Sequence, residues 1–193
     1  MPRRRPLVGV LSLQGAFAAH QAALASCAAD TRQVRVPADL DGLDGLVLPG
    51  GESTTMSRLL TTSGLFDAID KRLADGLAVF GTCAGMILLA GTVLDGRGDQ
   101  RSFNALDITV RRNGYGRQVD SFEADIAVAA LDAPFHAVFI RAPKVESVGE
   151  SVIVIAEHDG VPVLVSQGKI FGAAFHPELT PDYRLHSLFL QEV

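Results

Sequence analysis

Three short stretches of this chain are apolar at nearly every position rather than at every second one: Leu7-Val8-Gly9-Val10-Leu11-Ser12-Leu13, Gly45-Leu46-Val47-Leu48 and Leu77-Ala78-Val79-Phe80. A strand with one wet face alternates, so unbroken apolar runs belong to strands covered on both sides, as in a parallel sheet between helical layers. The intervening segments suit those layers. Residues 16–29 are Ala-rich and helix-forming. Met56, Leu59 and Leu60, then Leu65, Phe66, Ile69 and Leu73, recur at helical spacing. Residues 32–36, ended by Pro37, form a further predicted strand. The expected fold is α/β: a mostly parallel central sheet flanked by helices, in a single domain over residues 1–193 with a flexible start at 1–6.

The second half adds strands of another kind. Residues 105–111, 121–128, 137–140, 152–156, 161–166 and 170–175 read as strands between polar turns, several of them antiparallel. Residues 181–191 read as a closing helix with Leu185, Leu188 and Phe189 turned inward.

Charge and composition exclude several functions. Seventeen Lys and Arg against 22 Asp and Glu leave a net charge of -5, which offers nucleic acid no attractive field. The basic start, Arg3-Arg4-Arg5, is followed by an apolar stretch that Gln14-Gly15 interrupts, too short for a signal peptide or a membrane span. Two cysteines, Cys27 and Cys83, make no disulfide framework, so a reducing cytoplasm is expected. Cys27 sits in the Ala-rich helix and reads as a small packed side chain. The histidines at 20, 136, 158, 176 and 186 lack zinc-site spacing, and no metal or cofactor is expected. His20, His136 and His158 read as structural or solvent-facing, and His186 as packing for the last helix.

Chemistry gathers around Gly81-Thr82-Cys83-Ala84-Gly85, between the 77–80 strand and a short predicted helix at 84–90 that Gly91 stops. Such a turn puts Cys83 at the sheet's carboxyl edge, where open α/β sheets hold ligands. Unpaired N–H groups of a first helical turn favour a thiolate, and the Ala84 N–H can face an oxyanion. Downstream, Phe175-His176-Pro177-Glu178 in extended form projects His176 and Glu178 to one side as base and orienter. Gly50-Gly51-Glu52-Ser53-Thr54-Thr55 reads as a loop entering a helix capped by Ser53 or Thr54, and it lacks the lysine of an ATP-binding loop. The residue types alone also fit a buried cysteine in a small-residue turn, a plain glycine turn and a surface His–Glu pair.

Longer segments narrow the choice. Leu13-Gln14-Gly15, Pro49 to Thr55, Phe80 to Gly85, Gly116-Arg117-Gln118-Val119-Asp120-Ser121-Phe122-Glu123, Phe139-Ile140-Arg141-Ala142-Pro143 and Phe175 to Glu178 together resemble the glutaminase subunits of pyridoxal 5'-phosphate synthases, a branch of the class I glutamine amidotransferases. The resemblance covers nearly all of residues 8–189. It implies a class I amidotransferase-like fold and hydrolysis of L-glutamine to L-glutamate and ammonia through a thioester on Cys83, with His176 as acid and base and Glu178 as its orienter. It implies glutamine contacts at Gly51, Glu52, Ser53, Arg112, Ile140 and Arg141, and oxyanion donors at the Gly51 and Ala84 N–H groups. An arginine suits the α-carboxylate of glutamine. Gln14 and Gly15 become candidates for gating or contact with a partner, a barrel-type synthase subunit that receives the ammonia. Two departures from the family pattern stand out, Ser12 and Gly114, the latter expected to loosen its loop. A glutaminase of another pathway, such as histidine or purine synthesis, shares the three reactive residues, and an inactive binding module is the rival of another class.

Overall fold

A computed structural model of the chain describes residues 4–115 and 121–193. Its first half follows the apolar runs: β1 (Leu7–Leu11), α1 (Phe17–Ser26), β2 (Asp30–Val34), β3 (Gly45–Leu48), α2 (Ser53–Thr62), α3 (Leu65–Ala74), β4 (Ala78–Thr82) and α4 (Ala84–Leu89). Every residue of β3 and β4 is buried, as unbroken apolar runs require. The second half supplies β5 (Ala90–Val93), β6 (Leu106–Arg111), β7 (Ser121–Ile126), β8 (Phe135–Ile140), β9 (Lys144–Val148), β10 (Ile153–His158), β11 (Val161–Gln167), β12 (Ile170–Ala173) and α5 (Arg184–Phe189). Among the described residues no helix is long and apolar enough to cross a membrane.

The main sheet has seven strands in the order β10-β11-β12-β4-β3-β1-β2. From β2 to β12 every neighbouring pair is parallel, and β11 and β10 are added antiparallel at the far side. The chain leaves the sheet after β4, returns as the antiparallel pair β10 and β11, and then lays β12 beside β4, with Ile170 next to Val79 and Ala173 next to Thr82. The carboxyl ends of β1, β3, β4 and β12 therefore share one edge, the edge at which such sheets bind ligands. The excursion forms a three-stranded sheet, β5-β6-β9, and a β7–β8 pair. Fully buried Phe135, Phe139 and Phe175 lock β8 against the segment after β12. Each contributes roughly 2–3 kcal/mol by leaving water.

Several details differ from the sequence expectations. Helix α4 ends at Leu89, and the chain passes straight into β5, so Gly91 lies within a strand rather than stopping a helix. Strand β9 was outside the expected set; it shows one buried side chain, Val145, and no alternation. The last helix is shorter than 181–191, and it buries Leu185, His186 and Phe189 while Leu188 is only half-buried. Of the start expected to be flexible, Arg4 donates twice to the Asp44 carboxylate, at 2.6 and 2.9 Å. Gly114 is tightly enclosed: a Cβ there would lie 2.1 Å from Lys144 Cβ, so its glycine makes room for β9 rather than loosening the loop. Residues 116–120 of the Gly116 to Glu123 landmark lie outside the described residues.

Candidate active site

The site is assembled from strand ends. Strand β4 delivers Cys83, whose backbone adopts φ 51° and ψ -107°, a conformation that costs a non-glycine residue on the order of 1–3 kcal/mol. The strain is held by the Cys83 N–H donating to the Ala173 carbonyl at 2.8 Å and by the Ile87 N–H donating to the Cys83 carbonyl at 3.2 Å. Two glycines allow the turn to press this close. A Cβ on Gly85 would sit 2.0 Å from the Leu48 carbonyl oxygen, and one on Gly81 would sit 2.6 Å from the Gly85 backbone. The thiol-bearing residue thus lies between β3 and β12 with a helix starting at Ala84.

Past the end of β12, His176 is anchored by its N–H to the Val138 carbonyl at 2.8 Å. Residues Pro177–Leu179 form a 3-10 turn, not the extended segment expected; proline suits the first position of such a turn because it has no N–H to leave unpaired. The turn still brings His176 and Glu178 together, with His176 Nδ1 donating to Glu178 Oε1 at 2.8 Å. Burial alone would lower the His176 pKa, but hydrogen bonds to Cys83 and Glu178, and their charges, push it up to about 10. Burial would raise the Glu178 carboxyl, yet the hydrogen bond from His176 and the charges of His20 and His176 hold it below its usual value. Cys83 Sγ also lies 3.8 Å from the Ile140 carbonyl oxygen.

Cys83 and His176 open into a cavity of about 330 Å³, at the small end for a small-molecule site. Gly15, Gly51, Glu52, Ser53, Arg112, Ile140 and Arg141 also line it. Strand β6 ends where Arg112 begins its turn, and β8 ends at Ile140, so the excursion delivers both groups to the edge where Cys83 lies. Glu178 stands behind His176, and Ala84 is buried at the start of α4. Gln14 packs against the loop after β3: a Cβ on Gly51 would lie 3.4 Å from Gln14 Cδ, and one on Gly15 would lie 1.8 Å from the Gly50 carbonyl oxygen.

The helix cap is Glu52 rather than Ser53 or Thr54. Its carboxylate accepts from the Thr54 N–H at 3.1 Å and the Thr55 N–H at 2.7 Å, and Arg112 Nη2 donates to it at 2.8 Å. A glutamate one residue before the helix reaches the same free N–H groups that a serine cap would satisfy. Partial burial would raise the Glu52 carboxyl, but the Thr55 and Thr54 N–H groups, the Thr55 hydroxyl and Arg112 hold it low. Ser53 is buried, and its hydroxyl has no partner among the described residues.

Three residues of the site were not singled out from the sequence. Gly50 makes room for the imidazole, since a Cβ there would lie 2.4 Å from His176 Cε1. His20 and His186 are both fully buried behind Glu178, with His20 Nδ1 3.0 Å from His186 Nε2. No spacing in the chain signals that α1 and α5 meet there. His136, by contrast, is exposed between Asp125 and Glu123, and His158 stacks on Phe122. Cys27 is half-buried and reaches the Tyr183 carbonyl at 3.6 Å.

A strained cysteine at the carboxyl edge of a parallel sheet, with an imidazole and a buried carboxylate in line behind it, is the arrangement of the class I glutamine amidotransferases. Comparison with known proteins agrees: residues 10–193 match the SNO glutamine amidotransferase family, and the chain belongs to it. It is 56% identical over 190 residues to the pyridoxal 5'-phosphate synthase subunit PdxT of Salinispora arenicola, an alignment covering 95% of this chain and 94% of the relative. The protein of the same name from Corynebacterium jeikeium is 53% identical over 188 residues, covering 97% and 96%. A crystal structure of a glutamine amidotransferase superposes with a TM-score of 0.91 at 47% identity, covering 96% of this chain and 97% of the other.

Proposed function

We propose that this chain hydrolyses L-glutamine at Cys83 and hands the ammonia to a barrel-type pyridoxal 5'-phosphate synthase subunit. The observation that carries the reading is that Cys83 and His176 line one cavity while the buried Glu178 holds His176 Nδ1 from behind at 2.8 Å. Its relatives' shared name, pyridoxal 5'-phosphate synthase subunit, supports the destination of the ammonia. Exposed Leu179 and Ile140 at the cavity rim support a partner that covers the mouth.

In this reading Cys83 Sγ attacks the side-chain amide carbon as the thiolate. The tetrahedral oxyanion is met by backbone N–H groups of Gly51 and Ala84, and His176 gives its proton to the departing nitrogen. Ammonia leaves and a glutamyl thioester remains. His176, now neutral, takes a proton from water as it attacks the thioester, and glutamate leaves as the thiolate is restored. Glu178 keeps the Nδ1 proton of His176 in place throughout. At the cavity wall the Glu52–Arg112 pair matches the α-ammonium and α-carboxylate of an amino acid, which a bound glutamine engages in place of part of that pair. The free Ser53 hydroxyl is a further contact.

The test is a reconstituted complex with the synthase subunit, supplied with glutamine or with ammonium salt. Cys83→Ala is expected to abolish cofactor synthesis from glutamine while sparing synthesis from ammonia. Equal loss with both nitrogen sources, or retained use of glutamine, refutes the assignment.

A further inference from the structure

Behind the carboxylate that orients His176 lies a pair of imidazoles that the proposed reaction does not use. His20, on α1, and His186, on α5, are fully buried. His20 Nδ1 lies 3.0 Å from His186 Nε2, and His20 Nε2 lies 3.2 Å from Thr82 Oγ1 and 3.3 Å from Glu178 Oε2. Glu178 Oε1 is engaged by His176, while Oε2 is buried and accepts no hydrogen bond among the described residues, the His20 Nε2 approach being an electrostatic contact. His186 Nδ1 has none at all among them.

These contacts decide where the protons sit. If His20 carried its proton on Nδ1, it would donate to His186 Nε2. Its Nε2 lone pair would then face the carboxylate oxygen, and His186 would bury an Nδ1–H with no acceptor. If both rings carry the proton on Nε2, His186 donates to His20 Nδ1 and His20 donates to Thr82 Oγ1, with the His20 Nε2 nitrogen still 3.3 Å from Glu178 Oε2. His186 then buries only a lone pair, cheaper than an unmet N–H, and Glu178 Oε2, which accepts no hydrogen bond among the described residues, faces the positive end of an N–H dipole rather than a second lone pair. Burial keeps both rings neutral: it lowers His20, despite Glu178, and pushes His186 down to about 3. The groups facing the pair are Thr82 from β4, Glu178 and His176 from the turn after β12, and the apolar edges of Phe80 and Tyr183 against His186.

We infer that His20 is a positioning residue: held by His186 and Thr82 as the Nε2–H tautomer, it keeps the positive end of that N–H beside the outer oxygen of Glu178 and so biases the rotation of the carboxylate that aligns His176. The inference rests on the glutaminase reading for its consequence, and on the structure for its geometry. Without that N–H the outer oxygen is a buried charge with no positive dipole beside it, and the carboxylate turns to find one. His176, bonded to the other oxygen, turns with it.

The tautomers are read directly from a long-range proton–nitrogen NMR spectrum of the full-length chain carrying nitrogen-15 histidine. Both His20 and His186 are expected neutral and protonated on Nε2 at neutral pH; a proton on Nδ1, or an imidazolium, at either position overturns the inference. The consequence is tested with His20→Leu and His20→Gln, the second placing an amide N–H near the position of Nε2–H. In the synthase complex His20→Leu is expected to lower kcat for glutamine by about tenfold to a hundredfold with KM little changed, and His20→Gln to recover most of the loss. Equal loss in the two folded variants overturns the role. If His20→Leu does not fold, the spectrum of the unsubstituted chain decides. Alkylation of Cys83 by iodoacetamide requires neither glutamine nor partner; His20→Leu is expected to slow it severalfold at neutral pH, and an unchanged rate overturns the inference. An unsubstituted chain that shows the expected tautomers and alkylation but no partner-dependent glutamine hydrolysis refutes the glutaminase reading instead.

Discussion

Gly50→Ala separates the geometry of the site from the stability of the fold. The added Cβ lies 2.4 Å from His176 Cε1 and 3.1 Å from Nδ1. Carbon atoms in contact rest about 3.5 Å apart or more, so the ring must retreat by about 1 Å. It cannot do so and keep its 2.8 Å bond to Glu178 Oε1, because Glu178 is itself fully buried behind it. A displacement of about 1 Å at a reacting group costs on the order of 10²-fold, or about 2.7 kcal/mol in the barrier. Overpacking costs about 1–3 kcal/mol of stability, offset by about 0.4–1 kcal/mol because alanine restricts the unfolded chain. The net shift in Tm is then at most about 10 °C for a chain of this size. Glutamine hydrolysis in the synthase complex, measured beside a thermal melt, checks both numbers. A folded variant whose kcat stays within about threefold of the unsubstituted chain would show that the imidazole has room, and the packing argument would fail.

Other substitutions probe the supporting structure. Gly85→Ala places a Cβ 2.0 Å from the Leu48 carbonyl oxygen, a backbone atom that cannot swing aside, and is expected to cost about 3 kcal/mol or more in a denaturant titration. Glu52→Gln weakens the cap of α2 and the tie to Arg112, with an expected loss of about 1 kcal/mol and a raised KM for glutamine. Because the Glu52 carboxyl is held low in the folded state, its contribution is present above the unfolded value of 4.5 and is lost as pH falls through the lower folded value. The stability difference between Glu52→Gln and the unsubstituted chain is therefore expected to shrink in acid, and a constant gap contradicts the pairing. Arg112→Lys keeps the charge but loses the planar fork, so KM is expected to rise severalfold with kcat nearly unchanged, measured by steady-state kinetics.

The parallel core was legible because β3 and β4 are buried on both faces, a condition that leaves an unbroken apolar run. Cys83 and the His176-Pro177-Glu178 run were legible because local spacing carries them. Strand β9 was not, since Val145 alone is buried, Lys144 is half-buried, and Glu146, Ser147 and Val148 are exposed. Strand β5 was hidden because it starts without a break after α4. The Glu52 cap was missed because the usual cap residues, Ser53 and Thr54, stand next to it. His20, His186 and Gly50 matter only through contacts between distant segments, and no periodicity within α1 or α5 encodes the other helix.

Strand β12 enters the sheet between β4 and β11, although the residues from Ala84 to Lys169 separate it from β4 in the chain. During synthesis the cysteine therefore leaves the ribosome long before its histidine. Until β12 zips in beside β4, the thiol lacks both the imidazole and the Ala173 carbonyl that holds its strained backbone. A chain cut short before residue 170 is therefore expected to lack the partners of the proposed nucleophile, and to carry Cys83 without the imidazole that would serve it.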